Sequence, residues 1–176
     1  MIRRLGILAA LVVVLLAGCP NKAPWAPSLP PAFGARVGDG QLQVWTGSPC
    51  VGITRVAFYF TPSRAELVLT STEGVNLDHL SLGGPYPPGL TVSQPLPPDF
   101  QWRNEKTLDL FTSGGASRWG TSVDLAAVIE GSEQHPDDTY WFRHVGWLNP
   151  AEVAEQDGKT FLGICTADPA KEDGGR

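Results

Sequence analysis

Over most of the chain apolar and polar residues alternate with a period near two, the pattern of strands that bury one face. Phe33 to Val37 and Gln41 to Trp45 flank Gly38-Asp39-Gly40, a string that reads as a hairpin turn. Thr54, Val56, Phe58 and Phe60 alternate with Arg55, Ala57 and Tyr59. Leu67 and Leu69 repeat the alternation, as do Leu108 and Leu110 around Asp109, and Leu90 to Ser93 is a further short candidate. Tyr140 to Trp147 and Thr160 to Thr166 are apolar on both faces and are predicted as central strands. Helix signals are confined to two places. Asn149-Pro150-Ala151-Glu152 supplies an N-cap, a proline at the first helical position and a glutamate at the third, with Gly158 as a left-handed stop. Thr121 to Asp124 starts a second short helix that ends near Gly131. Seven or eight short strands with Pro- and Gly-rich connections predict a mainly β protein: a single antiparallel β-sandwich over residues 33–168 with one or two short helices. A partly open barrel is the alternative. Residues 169–176 are polar and read as a flexible tail.

The first residues break this pattern. Arg3 and Arg4 precede Leu5 to Leu16, a run that is apolar apart from Gly6. A spanning helix needs roughly 20 apolar residues, so this shorter run reads as the core of a secretory signal over residues 1–18. It leads into Leu16-Ala17-Gly18-Cys19: an aliphatic residue, two small residues and a cysteine. A thiol can take a diacylglycerol as a thioether, and a signal peptidase needs small side chains beside the bond it cuts. These residues resemble the lipobox of bacterial lipoproteins. The resemblance covers residues 1–19 only. It implies cleavage between Gly18 and Cys19, a covalent diacylglycerol on Cys19 and an added N-acyl chain. It also implies a lipid anchor on the extracytoplasmic side of the cell membrane, inner or outer. Each buried methylene contributes about 0.8 kcal/mol and one chain binds only reversibly, so two or more chains make a stable anchor. The competing reading is an ordinary signal whose cleavage site contains a cysteine, or a buried cysteine ending an apolar helix. The Arg3-Arg4 pair also raises twin-arginine export, which Leu5-Gly6-Ile7-Leu8 resembles only loosely. Residues 19–32 follow as a tether rich in proline, with Trp25 its one large apolar side chain.

Charge and cysteines narrow the function. The formal charge is −5, and removing Arg3 and Arg4 makes the remaining chain more acidic. The lysines (Lys22, Lys106, Lys159, Lys171) are dispersed and no basic cluster exists, which argues against nucleic acid and against docking on anionic head groups. With Cys19 assigned to lipid, Cys50 and Cys165 are expected to pair in an oxidising compartment. The chain-entropy model gives such a long loop about 4.7 kcal/mol at most. Two separate buried thiols is the other reading. No cysteine spacing suits zinc.

Motifs for catalysis are missing from the string. Gly120-Thr121-Ser122-Val123-Asp124 lacks the last glycine of a nucleophile elbow, and no zincin, P-loop or calcium-loop pattern occurs. His79, His135 and His144 could form a metal or acid–base site only if the fold gathers them. The carboxylates Asp78, Asp99, Glu105, Asp109, Asp124, Glu130, Asp137 and Asp138 are scattered, and a glycosidase needs two across one sugar bond. No catalytic residue, metal ligand or cofactor other than the lipid on Cys19 is assigned. Trp141 and Trp147 read as core. Tyr86, Trp102 (beside Arg103) and Trp119 (beside Arg118) lie near loop signals and are the candidate binding surface, since a flat ring stacks on sugar or anchors a protein contact. Packing at the ends of the sandwich is the other reading. The segment from Gly83 to Pro98 reads as rigid loops and an edge strand.

The expected function is a lipid-anchored binding or interaction module of the cell envelope, with an envelope protein or glycan as partner. The oligomeric state stays open. A glycan-acting enzyme would need Trp102, Trp119 and carboxylates in one groove. A lipid carrier would need an empty apolar cavity.

Overall fold

The Asp39-Gly40 pair closes a two-residue hairpin, with Gly38 opposite Gln41 and both turn residues at positive φ (50° and 75°). Asparagine, aspartate and glycine favour such turns because they tolerate the left-handed region. This hairpin opens the fold in a computed structural model that describes residues 26–115 and 119–172. Gly18, Cys19, Trp25 and Arg118 lie outside the described residues. The strands are β1 (Pro31–Ala32), β2 (Gly34–Gly38), β3 (Gln41–Thr61), β4 (Glu66–Ser81), β5 (Thr91–Gln94), β6 (Thr107–Ser113), β7 (Thr121–Asp124), β8 (Tyr140–Phe142), β9 (Gly146–Leu148) and β10 (Leu162–Gly163). The helices are α1 (Leu125–Ser132), α2 (Pro150–Gln156) and α3 (Pro169–Glu172). The protein is mainly β and its large sheet is antiparallel.

Among the described residues one sheet runs β5-β4-β3-β2-β8-β9, with β6 also paired to β3 and β7 to β6. The long strand β3 is the hinge of this arrangement. Its first part pairs with β2 and the end of β4, and its last part pairs with β6 and the start of β4. Between Trp45 and Arg55 the β3–β4 register slips three times, and bulges of this kind bend a strand. Gly52 and Gly74, both at positive φ, meet back to back at this bend. A Cβ on Gly74 would lie 3.0 Å from the Gly52 backbone. The sheet thus folds into two layers, the β2 layer (β9-β8-β2-β3) and the β6 layer (β4-β3-β6-β7), which close on a common core. Leu42, Val44 and Ala35 enter it from one layer and Val56, Phe58, Leu69, Leu108 and Leu110 from the other. This is the expected sandwich, made from one bent sheet. It stays open at its edges rather than closing into a barrel.

The disulfide Cys50–Cys165 joins the bend to the final segment, with Cα atoms 5.2 Å apart. Helix α1 is capped by Asp124, which accepts from the amides of Ala126 and Ala127, and buries Leu125 and Val128 in the core. Helix α2 carries the full capping box of Asn149 and Glu152 with Pro150 inside it, and Gly158 follows at φ 77°.

The structure corrects four expectations. Thr121–Asp124 does not start the second helix but is strand β7, paired to β6, with Asp124 capping a helix that begins at Leu125. Gln41–Trp45 and Thr54–Phe60 are parts of one strand, not two. Tyr140 to Trp147 is not a central strand but the β8–β9 hairpin, which turns through His144 at φ 65° and leaves β9 at an edge. Its two apolar faces arise because Trp141 packs on the main core, whereas Phe142 and Leu148 enter a second cluster with Trp45, Val153 and Phe161. Thr160 to Thr166 forms a strand at Leu162–Gly163 alone, parallel to β1, with Phe161 in a single bridge to Asp157. It is apolar because Phe161 enters the second cluster and Ile164 the first. The parallel pair also draws residues assigned to the tether into the domain: Ala32 is buried, and Ser28 donates through its amide (2.8 Å) and its hydroxyl to Asp168.

Candidate functional site

The aromatic residues singled out from the sequence do not share a surface. Trp102 lies in a 3-10 turn (Trp102–Asn104) ahead of β6, half-buried against the core, with the Arg103 guanidinium 4.4 Å above its ring. Trp119 sits beyond the other end of β6, its indole donating to the Thr166 carbonyl (3.2 Å) and Lys171 Nζ 5.3 Å above its ring. The length of β6, about 20 Å at roughly 3.3 Å per residue, separates them. Tyr86 is half-buried against the core, and its hydroxyl accepts from the Gly83 amide (3.3 Å). Burial raises the Tyr86 phenol pKa, opposed by that bond. Tyr86 and Trp102 thus pack on the core, whereas Trp119 is held by the Thr166 carbonyl and Lys171.

The histidines are also dispersed. His135 stacks on Trp147 (4.5 Å between centroids, 11° between planes), with Nδ1 2.9 Å from the Gly131 carbonyl. His144 occupies the β8–β9 turn. Among the described residues no group of three His, Cys, Asp or Glu side chains is placed to hold a metal ion. The hydroxyls of Ser48 and Thr166 bond each other (2.8 Å), and Thr166 donates to the Asp157 carboxylate (2.5 Å), a relay that ties the start of the bend in β3 to the final segment.

What the fold does gather lies on the outer face of the β2 layer. His79 on β4 stands opposite Trp45 on β3 and stacks on it, 5.5 Å between centroids and 3° from parallel. The bulge after Trp45 lets the neighbouring Asp78 reach the same ring. One Asp78 oxygen accepts from the Trp45 indole (2.9 Å) and the other lies 3.0 Å from His79 Nδ1. Tyr140 leans on both rings, 5.5 Å from Trp45 and 5.7 Å from His79. Gly34 makes the neighbouring approach possible, because a Cβ there would come within 2.7 Å of Phe142.

Tyr140 links this band to Arg36, whose guanidinium carbon lies 5.8 Å from its ring centre. Burial raises the Tyr140 hydroxyl pKa, Arg36 opposes the rise and Asp78 adds to it. Arg36 is a lone cation in the middle of β2 and only 3% exposed. Nη1 donates to the carbonyls of Pro136 (3.0 Å) and Thr139 (3.3 Å), and Nη2 donates to Asp137 (2.9 Å). Where β8 has ended, the Ser132 hydroxyl of α1 takes the Val37 amide of β2 (2.8 Å). A cavity of about 370 Å³ opens there, with Arg36, Asp39, Arg103, Ser132, Glu133 and Asp137 in its wall. A smaller adjoining one adds Gln43.

Sequence reading missed Arg36, Gln43 and Tyr140 as site residues. The available signal was slight: one arginine between Ala35 and Val37 in an otherwise small and apolar strand. No family model matches the chain, and neither a curated protein nor a solved structure is significantly similar to it. The site therefore defines only a class, a β-sandwich with one polar and aromatic outer face.

Proposed function

We propose that the protein is a lipid-anchored binding module of the cell envelope, attached through Cys19 and facing the extracytoplasmic side. The observation that carries the binding role is the half-exposed Asp78–His79 pair, a preformed surface on which a flat ring and a carboxylate are fixed by the buried Trp45 ring and linked through Tyr140 to Arg36 and its cavity. Such surfaces give recognition through stacking and oriented hydrogen bonds. Trp102 and Trp119 are too far apart to flank one sugar bond, which weighs against a glycan-cleaving groove. The cavity beside Arg36 is walled by charge, which weighs against a lipid carrier.

Two measurements test the reading on the full chain in a bacterial host. Mass analysis of the membrane fraction should find an N-terminal acylated Cys19, and Cys19→Ala should block both lipidation and processing. A photoreactive residue in place of His79 should give a discrete adduct with an envelope protein or glycan, and one in place of Phe111 should not. A soluble unmodified protein would remove the anchor. Hydrolysis of peptidoglycan or ester substrates, abolished by one carboxylate or histidine substitution, would replace the binding role with an enzymatic one.

A further inference from the structure

We propose that the Arg36 cavity binds a small zwitterion of the amino-acid class. Its carboxylate would lie side-on against Arg36 and its ammonium toward Asp39 and Glu133. The inference rests on the binding-module reading and gives it a ligand class. Nε and Nη2 form one edge of a guanidinium, the edge that holds a carboxylate through two parallel N–H···O bonds. On Arg36 this edge is half used. Asp137 takes Nη2 through one oxygen, and Nε, buried, has no acceptor among the described residues. The Asp137 side chain is otherwise fully exposed, so little holds it there. Its carboxylate therefore stands where a ligand carboxylate would sit. Nη1 is fixed by the Pro136 and Thr139 carbonyls, which hold the plane of the fork before any ligand arrives. A buried arginine paired with a fully exposed surface acid is a costly arrangement unless a better-placed anion completes it.

The rim selects among anions. Asp39, Glu133 and Asp137 line the cavity against Arg36 and Arg103. Arg103 is itself engaged by the Gly40 carbonyl (3.3 Å) and the Trp102 ring. A phosphate dianion would meet three carboxylates, and a simple amine would meet two arginines. A molecule with one charge of each sign satisfies both walls. A volume of about 370 Å³ is at the small end for ligand sites and suits an amino acid or a dipeptide, not a polymer strand.

The test follows the Arg36 Nε–H resonance of the full chain during titration with alanine, alanyl-alanine, acetate, ethylamine and inorganic phosphate. Alanine or alanyl-alanine should shift it saturably. Acetate and phosphate should bind roughly tenfold more weakly or worse, a difference of about 1.4 kcal/mol. Ethylamine should leave it unmoved. Asp137→Ala removes the competing carboxylate from an exposed position and should tighten alanine binding by roughly threefold to tenfold. Arg36→Gln should abolish binding, and the Asp137 variant keeps the test independent of whether that chain folds. A resonance that stays still for both amino acids, in the parent and in Asp137→Ala, would overturn the inference. So would acetate or phosphate binding as tightly as alanine. If these titrations fail while the His79 adduct forms, the zwitterion site falls and the binding module stands. If both fail, both fall.

Discussion

The outer faces of the β2 layer and the β6 layer are built from two ends of the same strand, β3, yet they solve different problems. On the β6 layer Arg55, Ala57 and Tyr59 face outward beside Thr70, Val68 and Glu66 on one side and Ser113, Phe111 and Asp109 on the other. Arg55 and Glu66 form a surface ion pair at 3.0 Å with both side chains partly exposed, and Phe111 remains 46% exposed. On the β2 layer Trp45 and Phe142 face outward and are buried again, under α2 and the final segment, while Arg36 is buried with its charge. A face that only needs to stay soluble follows simple alternation. A face that keeps a cation and stacked rings in place requires a second core behind them and a glycine, Gly34, to let the rings approach.

The largest expected contrast lies in packing. Phe142→Ala should cost about 3–5 kcal/mol, as for a fully buried phenylalanine, whereas Phe111→Ala should cost less than about 1 kcal/mol because half its area is already in water. Urea denaturation of the full chain measures both, and equal losses would erase the distinction between the faces. A smaller contrast lies in the arginines. Arg36→Met takes the guanidinium from the Thr139 carbonyl, while the Pro136 carbonyl keeps the Thr139 amide and hydroxyl, and should cost about 1–3 kcal/mol. Arg55→Met gives up only an exposed pair, worth at most about 1 kcal/mol. The smallest contrast is in pH dependence. Burial on the β6 layer raises the Asp109 carboxyl above its ordinary 3.8, with Arg143 opposing. The native state then binds this proton more tightly than the unfolded chain. The stability it brings is present below the ordinary value and lost as pH rises through the native one. Asp168 is lowered, first by the Ser28 hydroxyl, so its contribution is present above 3.8 and lost as pH falls. Asp168→Asn should therefore blunt acid destabilisation and Asp109→Asn should change stability with the opposite slope. Urea midpoints from about pH 3 to pH 6 read the signs.

How much of this was legible depends on whether a feature is local. The β2–β3 hairpin, the α2 capping box and the inward faces of β3, β4 and β6 are each encoded within a few residues, and the structure has them where the string places them. Cys50 and Cys165 were paired by elimination among three cysteines, and the disulfide is present. The length of β3 was hidden because its bulges, with glycines at 47 and 52, interrupt the period of two. Asp78 and His79 would point to opposite faces of a regular strand, so only the bulge makes them partners. Arg36 offers no pattern at all. Its role depends on α1 and the loop before β8, about a hundred residues further on.

The parallel contact between β1 and β10 has a mechanical consequence. A pull on the chain ahead of Ser28 does not peel an edge strand from the sheet. It enters through the Ser28–Asp168 bonds and the β1–β10 rungs, and so loads the last segment of the domain. That segment is riveted at Cys165 to Cys50, in the middle of β3. Force arriving at the margin of the domain is thus delivered by a covalent link to the bend of β3, where Cys50 pairs with Leu77 of β4. The Trp45 ring on which His79 stacks shares its cluster with Ala32 and Phe161, beside those same rungs, so tension on the domain is felt by the outer face as well.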